Sequence, residues 1–435
     1  MAESVYVPIQ SNYFVALTKA RLNPGTSIPP GGRRLKAKTA ILAILCLAIL
    51  VAGGRVLDWS VLRIGKAPVS RIKWRQTLPE ALTSPPALGS DESIYVSTRG
   101  GSVYGLDRSG VVQWAYRPGL EEMPAGLLLD QQDNLYFSTQ KRVLSLTASG
   151  KKRWETPCTP PRASQEMQAG ALGEGMLFTT CGESFAALDT TDGRELWKLP
   201  VYQWNPFPVV LKSGAIVLVH DWSLAAIDRN GNSLWHFPPP GYIAPRPRPG
   251  LTVDQMFFPS PIAVGSDDSL YVGSGDGEFS CFSAEGALNW TYNAGPLHGV
   301  SFLASPVITF DGTVIAISTE ASVYAFTGAG EVLWRLHIGP PVRNNIQPSP
   351  VLGSDGAIYV LAAGKLVALS ARGTKLWELP LPSDAVTSPT LAPDGTLYVA
   401  TNDKTLYTVQ TSSRGLMKSA WPKYQRDLSN SGSSF

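Results

Sequence analysis

From residue 71 onward the apolar positions fall in short runs with a two-residue period, cut by turns rich in Gly, Asp and Ser. Residues 348–378, PSPVLGSDGAIYVLAAGKLVALSARGTKLWE, show the plan. SPVLG is a first short strand. Asp355-Gly356 makes a tight hairpin, because glycine accepts positive φ without strain. AIYVLA and KLVALS are the second and third strands, and Ala371-Arg372-Gly373 turns the chain into a fourth, TKLWE. The same pieces fit 260–290 and 305–334, and 388–410 repeats the first three.

These units recur along the chain. Trp74, Trp114, Trp154, Trp197, Trp235, Trp290, Trp334 and Trp377 are separated by 40, 40, 43, 38, 55, 44 and 43 residues. Seven of these tryptophans follow a glycine by four positions: Gly110, Gly150, Gly193, Gly231, Gly286, Gly330 and Gly373. A period of about 40–45 residues built from strands predicts a propeller. Eight sets of the first three strands can be counted, but the last has no Gly-x-x-x-Trp strand after it. RIKWRQT, 71–77, has an outer strand's pattern and no inner strands before it. The fold expected is therefore all-β: an eight-bladed β-propeller of four-stranded blades, closed by the N-terminal strand around Trp74. The glycine is expected to end the turn before the fourth strand. The tryptophan is expected to pack its ring on the neighbouring blade, burying about 150–250 Å².

Composition adds to this picture mainly at the N-terminus. Of 435 residues, 44% are hydrophobic, enough for a sizeable core, and the 41 Gly and 35 Pro with only 16% charged residues favour many short strands over helices. The net charge of +3 is too small to imply a nucleic-acid partner. Residues 1–38 carry Lys19, Arg21, Arg33, Arg34, Lys36 and Lys38 against Glu3, and read as a disordered basic tail. TAILAILCLAILVAGG, 39–54, follows without a charge. As a helix it spans about 24 Å, short of a hydrocarbon core of about 30 Å unless extended past Arg55 by Val56, Leu57 and Trp59. It reads as a hydrophobic helix, a membrane anchor or signal segment, over 39–60. A 38-residue leader is long for a cleaved signal and favours the anchor. The preceding RRLKAK places the N-terminus inside and everything after it outside. Residues 61–70 are a linker, 71–410 the propeller and 411–435 a C-terminal tail.

Candidate chemistry is sparse. Among the four cysteines Cys46 lies in the apolar run. Cys158 and Cys181 are the nearest remaining pair, and both a disulfide and small buried thiols, with Cys281, fit an exported domain. The histidines, His220, His236, His298 and His337, are not spaced as a zinc pair. No nucleophile elbow or phosphate-binding glycine loop occurs. Asp311, Asp355 and Asp394 precede glycines in hairpins and read as turn residues; Asp276-Gly277 sits in a different turn with the same reading. No catalytic, cofactor-binding or metal residue is assigned. Two segments break the repeat. The 55-residue step holds a Pro-rich insertion, 238–258, charged by Arg246 and Arg248, a candidate docking loop. VRNNIQ, 342–347, offers Arg343, Asn344 and Asn345 near the mouth of the channel.

The segment Ala187-Leu188-Asp189-Thr190-Thr191-Asp192-Gly193-Arg194-Glu195-Leu196-Trp197 resembles the A-x-D-x-x-T-G-x-x-x-W tryptophan-docking motif of the quinoprotein (PQQ-like) β-propeller repeat family, with Asp192 in place of Thr. Residues 226–235 match with a turn one residue shorter, and WPKYQRDLSNSG, 421–432, is similar to a terminal segment common in that family. The resemblance covers about 70–432. It implies either a quinone-dependent dehydrogenase or the non-catalytic propeller of outer-membrane protein assembly. The dehydrogenases need an adjacent cysteine pair and a Ca²⁺ site of Glu, Asn and Asp, and the pair is absent here. The expectation is a non-catalytic scaffold without cofactor, in a bacterial inner membrane with its N-terminus cytoplasmic and its propeller periplasmic or otherwise extracytoplasmic. Its expected partners are other envelope proteins, and the membrane through the N-terminal segment, with no nucleic acid. A PQQ/Ca-dependent oxidoreductase and a ligand-sensing ectodomain are the alternatives.

Overall fold

A computed structural model describes residues 71–119, 122–159, 170–200, 207–220, 223–237, 260–295, 300–341 and 347–434. The basic tail (1–38), the apolar segment (39–60), the linker (61–70), Arg246, Arg248, His298, Arg343, Asn344 and Asn345 lie outside them. The chain divides into Met1–Ala67 and Pro68–Phe435, and everything described belongs to the second unit. Among the described residues no helix is long and apolar enough to cross a membrane.

The described chain is all-β, with 32 strands in eight antiparallel four-stranded sheets. Blade 1 holds β2 (Ala87–Leu88), β3 (Ile94–Ser97), β4 (Val103–Leu106) and β5 (Val112–Tyr116), in that order from axis to rim. Six more blades repeat the order. Blade 8 has three strands from the chain's end, β30 (Thr390–Leu391), β31 (Thr396–Ala400) and β32 (Thr405–Gln410). Its fourth is β1 (Ile72–Thr77), antiparallel to β32 through Ile72↔Val409, Arg75↔Tyr407 and Thr77↔Thr405. The first and the last three described strands thus share one sheet, and among the described residues no blade is left with three strands.

The middle strands are buried on both faces, because each blade is covered by a neighbour on either side. Their apolar runs therefore lack strict alternation, and Ile94–Ser97 and Ile358–Ala362 are buried throughout. The outer strands alternate, as in Lys375–Pro380, where Trp377 and Leu379 turn inward between more exposed neighbours. The core is a series of inter-blade layers. Blades 1 and 2 share one built on Tyr95, Leu129 and Phe137, and blades 8 and 1 another on Ile94, Leu106 and Tyr398. Each large apolar side chain buried this way contributes about 1.5–3 kcal/mol.

Seven outer strands carry a bulge just before their tryptophan. In blade 7, Leu369 pairs with Lys375 and Ala368 with Trp377, which leaves Leu376 as the extra residue. Leu196, Leu234, Leu333 and Leu376 occupy this position and are exposed. The bulge twists an edge that would otherwise invite pairing with another chain.

Candidate functional site

Seven of the eight tryptophans pack on the motif glycine of the next blade, not on one in their own blade. A Cβ placed on Gly150 would lie 2.5 Å from Trp114, one on Gly286 2.5 Å from Trp235, and one on Gly330 2.6 Å from Trp290. Trp74, Trp154, Trp197 and Trp334 meet Gly110, Gly193, Gly231 and Gly373 in the same way. These glycines have φ between +74° and +88°, so they turn the backbone and also leave room for the indole. The indole N–H then donates to a carbonyl of the same turn: Trp114 to Ala148 at 3.0 Å, Trp154 to Thr190 at 3.0 Å, Trp290 to Gly328 at 2.8 Å and Trp334 to Ala371 at 3.0 Å. Trp377 faces blade 8, whose fourth strand comes from the N-terminus without such a turn. Arg71 takes the place, its guanidinium carbon 4.2 Å from the ring centroid.

The conspicuous acids close turns. Asp107 and Asp228 accept N–H groups within their own loops, and side-chain hydrogen bonds, from Ser109 and Asn232 first, hold both carboxyls below the usual range. Hydrogen bonding from Thr309 does the same for Asp311. Burial pushes Asp355 up, but hydrogen bonds from Ser413 and Ser412 outweigh it and the net shift is downward. Acids held ionised are poor proton donors near neutrality. Buried Glu122 accepts from Arg142 at 2.8 and 3.1 Å and from Thr139 at 2.7 Å, which makes it a satisfied structural pair joining the blade connection to β8 (Arg142–Leu146). His337 Nδ1 lies 3.3 Å from Ser322 Oγ. Among the described residues no three His, Cys, Asp or Glu gather as metal ligands.

Cys158 and Cys181 are joined by a disulfide, with a Cα–Cα distance of 5.0 Å. It ties the chain after blade 2's outer strand to β11 (Met176–Cys181) of blade 3. Cys281 is buried and unpaired, and burial pushes its thiol up, away from the reactive thiolate.

The two faces of the ring differ. By strand order, the first-to-second and third-to-fourth turns emerge on one face; the second-to-third turns and blade connections emerge on the other. Blade 4's outer strand, Ser233–Phe237, ends on the connection face, and the insertion 238–258 that follows it lies outside the described residues. On the turn face the C-terminal segment is built into the ring rather than trailing from it. The N–H groups of Leu88, Leu129, Leu172, Val210, Ile308 and Leu352, near the ends of six inner strands, donate to carbonyls of Leu428, Ser429, Ser431, Gly432, Trp421 and Pro422 at 2.8–2.9 Å. Sequence reasoning noticed WPKYQRDLSNSG as a motif but not this role. The signal was its mixture of Trp, Pro and Asn without strand alternation.

A closed ring of eight blades, seven of them locked to the next by a tryptophan on a glycine and the last by Trp377 under Arg71, defines a tryptophan-docked β-propeller. A family model described as outer membrane protein assembly factor BamB matches residues 66–221 and 220–431, and the chain belongs to that family. The crystal structure of BamB from Moraxella catarrhalis is similar, with a TM-score of 0.63 and 19% identity over 78% of this chain and 99% of that one. A computationally designed protein, Ika8, matches at 0.60 with 13% identity over 77% and 98%. Virginiamycin B lyase from Staphylococcus aureus matches at 0.50 with 12% identity over 78% and 98%. At such identities these likenesses concern the fold alone. No curated protein sequence matches the chain.

Proposed function

We propose that the protein is a non-catalytic, membrane-anchored propeller that works outside the cytoplasm as a protein-interaction scaffold in cell-envelope assembly. Membership of the BamB family is the observation that carries this reading. The order of a basic segment, an apolar run and then the propeller supports an anchor with the propeller exported. The Cys158–Cys181 disulfide supports an oxidising compartment. The connection face, where blade 4's outer strand ends just before 238–258, is the proposed docking side, with Arg246, Arg248, Arg343, Asn344 and Asn345 as candidate contacts.

The quinoprotein-like repeat also motivates the oxidoreductase alternative, which a thermal-shift titration separates. Pyrroloquinoline quinone with Ca²⁺ is expected to leave the melting temperature unchanged. A stabilisation that grows with quinone concentration, as linkage requires of a ligand of the folded state, would instead support the enzyme.

A further inference from the structure

The C-terminal segment makes contacts that neither the repeat nor the proposed scaffold role requires. After Gln410 it passes blade 8, where Thr411 N–H and Oγ1 donate to Gly395 O at 3.0 and 2.8 Å. It then runs along blade 7, where Met417 N–H donates to Leu352 O at 2.9 Å and Ser412 Oγ to Asp355 at 2.7 Å. At blade 6, Trp421 pairs with Ile308, and it belongs to the buried cluster that includes Val209, Ile262 and Val264 of blades 4 and 5. Residues 423–427 cross to blade 1, and the chain continues past blades 2 and 3 to Val210 of blade 4. The path follows the axis-facing edges of the inner strands. Lys423, Trp421, Gln425 and Asn430 are each at most 2% exposed on it.

The crossing is organised by one side chain. Lys423 Nζ lies 2.8 Å from Tyr424 O, 2.9 Å from Asp427 O and 2.5 Å from Asn430 Oδ1, three acceptors that the amine meets with two N–H donors when neutral and three when protonated. Asn430 Nδ2 reaches Leu127 O at 3.2 Å and Pro85 O at 3.4 Å, on the inner sides of blades 2 and 1. A buried amine is costly whether charged or neutral, and an apolar side chain of equal length would fill the same volume. What it supplies is satisfaction of oxygens that the crossing loop would otherwise bury unpaired.

We propose that residues 411–434 are a stopper that closes the axial channel at the turn face, held by a Lys423–Asn430 latch, and that this leaves the connection face as the working mouth of the ring. The stopper and its latch stand on backbone hydrogen bonds and burial alone, while the working mouth rests on the scaffold reading.

Hydrogen exchange on the full chain tests it, comparing wild type, Lys423→Met and Lys418→Met, the last an exposed lysine of the same segment. Unpairing the latch is expected to speed exchange of the amides at Leu88, Leu129, Leu172, Val210, Ile308 and Leu352 together, roughly ten- to a hundredfold. The middle strand β27 (Ile358–Ala362) and the Lys418→Met chain are expected to keep wild-type rates. Unchanged exchange at the six amides, or equal acceleration of β27, would overturn the latch. If Lys423→Met does not fold, the wild-type chain decides. The six amides are expected to open as one unit with residues 426–431 at a lower free energy than β27, and six unrelated rates would contradict the stopper.

Discussion

Gly356 and Gly373 lie in the same blade with φ of +81° and +74°, yet they face different surroundings. A Cβ at Gly356 meets nothing within 4 Å, whereas at Gly373 it would lie 2.7 Å from the Trp334 ring. Gly356→Ala is expected to cost only the left-handed backbone penalty, roughly 1–2 kcal/mol. Gly373→Ala adds the displacement of an indole, about 1–3 kcal/mol more. Urea unfolding of the two variants checks this, and equal midpoints would mean that the tryptophan does not need a bare glycine. The spacing of Gly and Trp was legible because it recurs in seven of the eight repeats. Which glycine serves which tryptophan was not, because the contact runs between repeats: Gly373 precedes Trp377 in sequence but holds Trp334.

Closure of blade 8 by the strand around Trp74 could be read from one leftover outer strand and one missing one. The C-terminal segment could not be placed the same way. It pairs through main-chain groups with inner strands of blades 1, 2, 3, 4, 6 and 7, and no side-chain period marks such pairing. Its buried lysine gives the segment a pH signature. Burial pushes the Lys423 ammonium down from 10.5 to about 7, against the opposing field of Asp427. Burial pushes Tyr424, beside it, up to about 12, so that phenol does not titrate in this range. Between pH 7 and 10.5 the unfolded chain holds a proton that the folded chain has released, so stability rises with pH across that window. Below pH 7 both forms are protonated and the contribution is flat. The gain expected from pH 7 to about 9 is about 2 kcal/mol, read as a rise in the urea midpoint that Lys423→Met removes. A midpoint that rises equally in both chains would assign the effect elsewhere.

At the scale of the molecule the ring has unequal faces: one closed by short turns and the stopper, the other carrying the blade connections. Fold class and blade number were legible because the period repeats eight times and averages out local irregularity. The candidate site was less so, since its expected contacts, Arg246, Arg248, Arg343, Asn344 and Asn345, occur once each, where no repeat can vouch for them. The BamB family match supports protein partners, and the connection face is where this account places them. The most direct test is affinity capture of the full-length chain from detergent-solubilised membranes, with and without residues 238–258, followed by mass spectrometry. The account expects envelope-assembly proteins with the intact chain and their loss, at unchanged melting temperature, when the insertion is removed. The same partners recovered from both chains would contradict docking through this loop, and no envelope protein from either would contradict the scaffold itself.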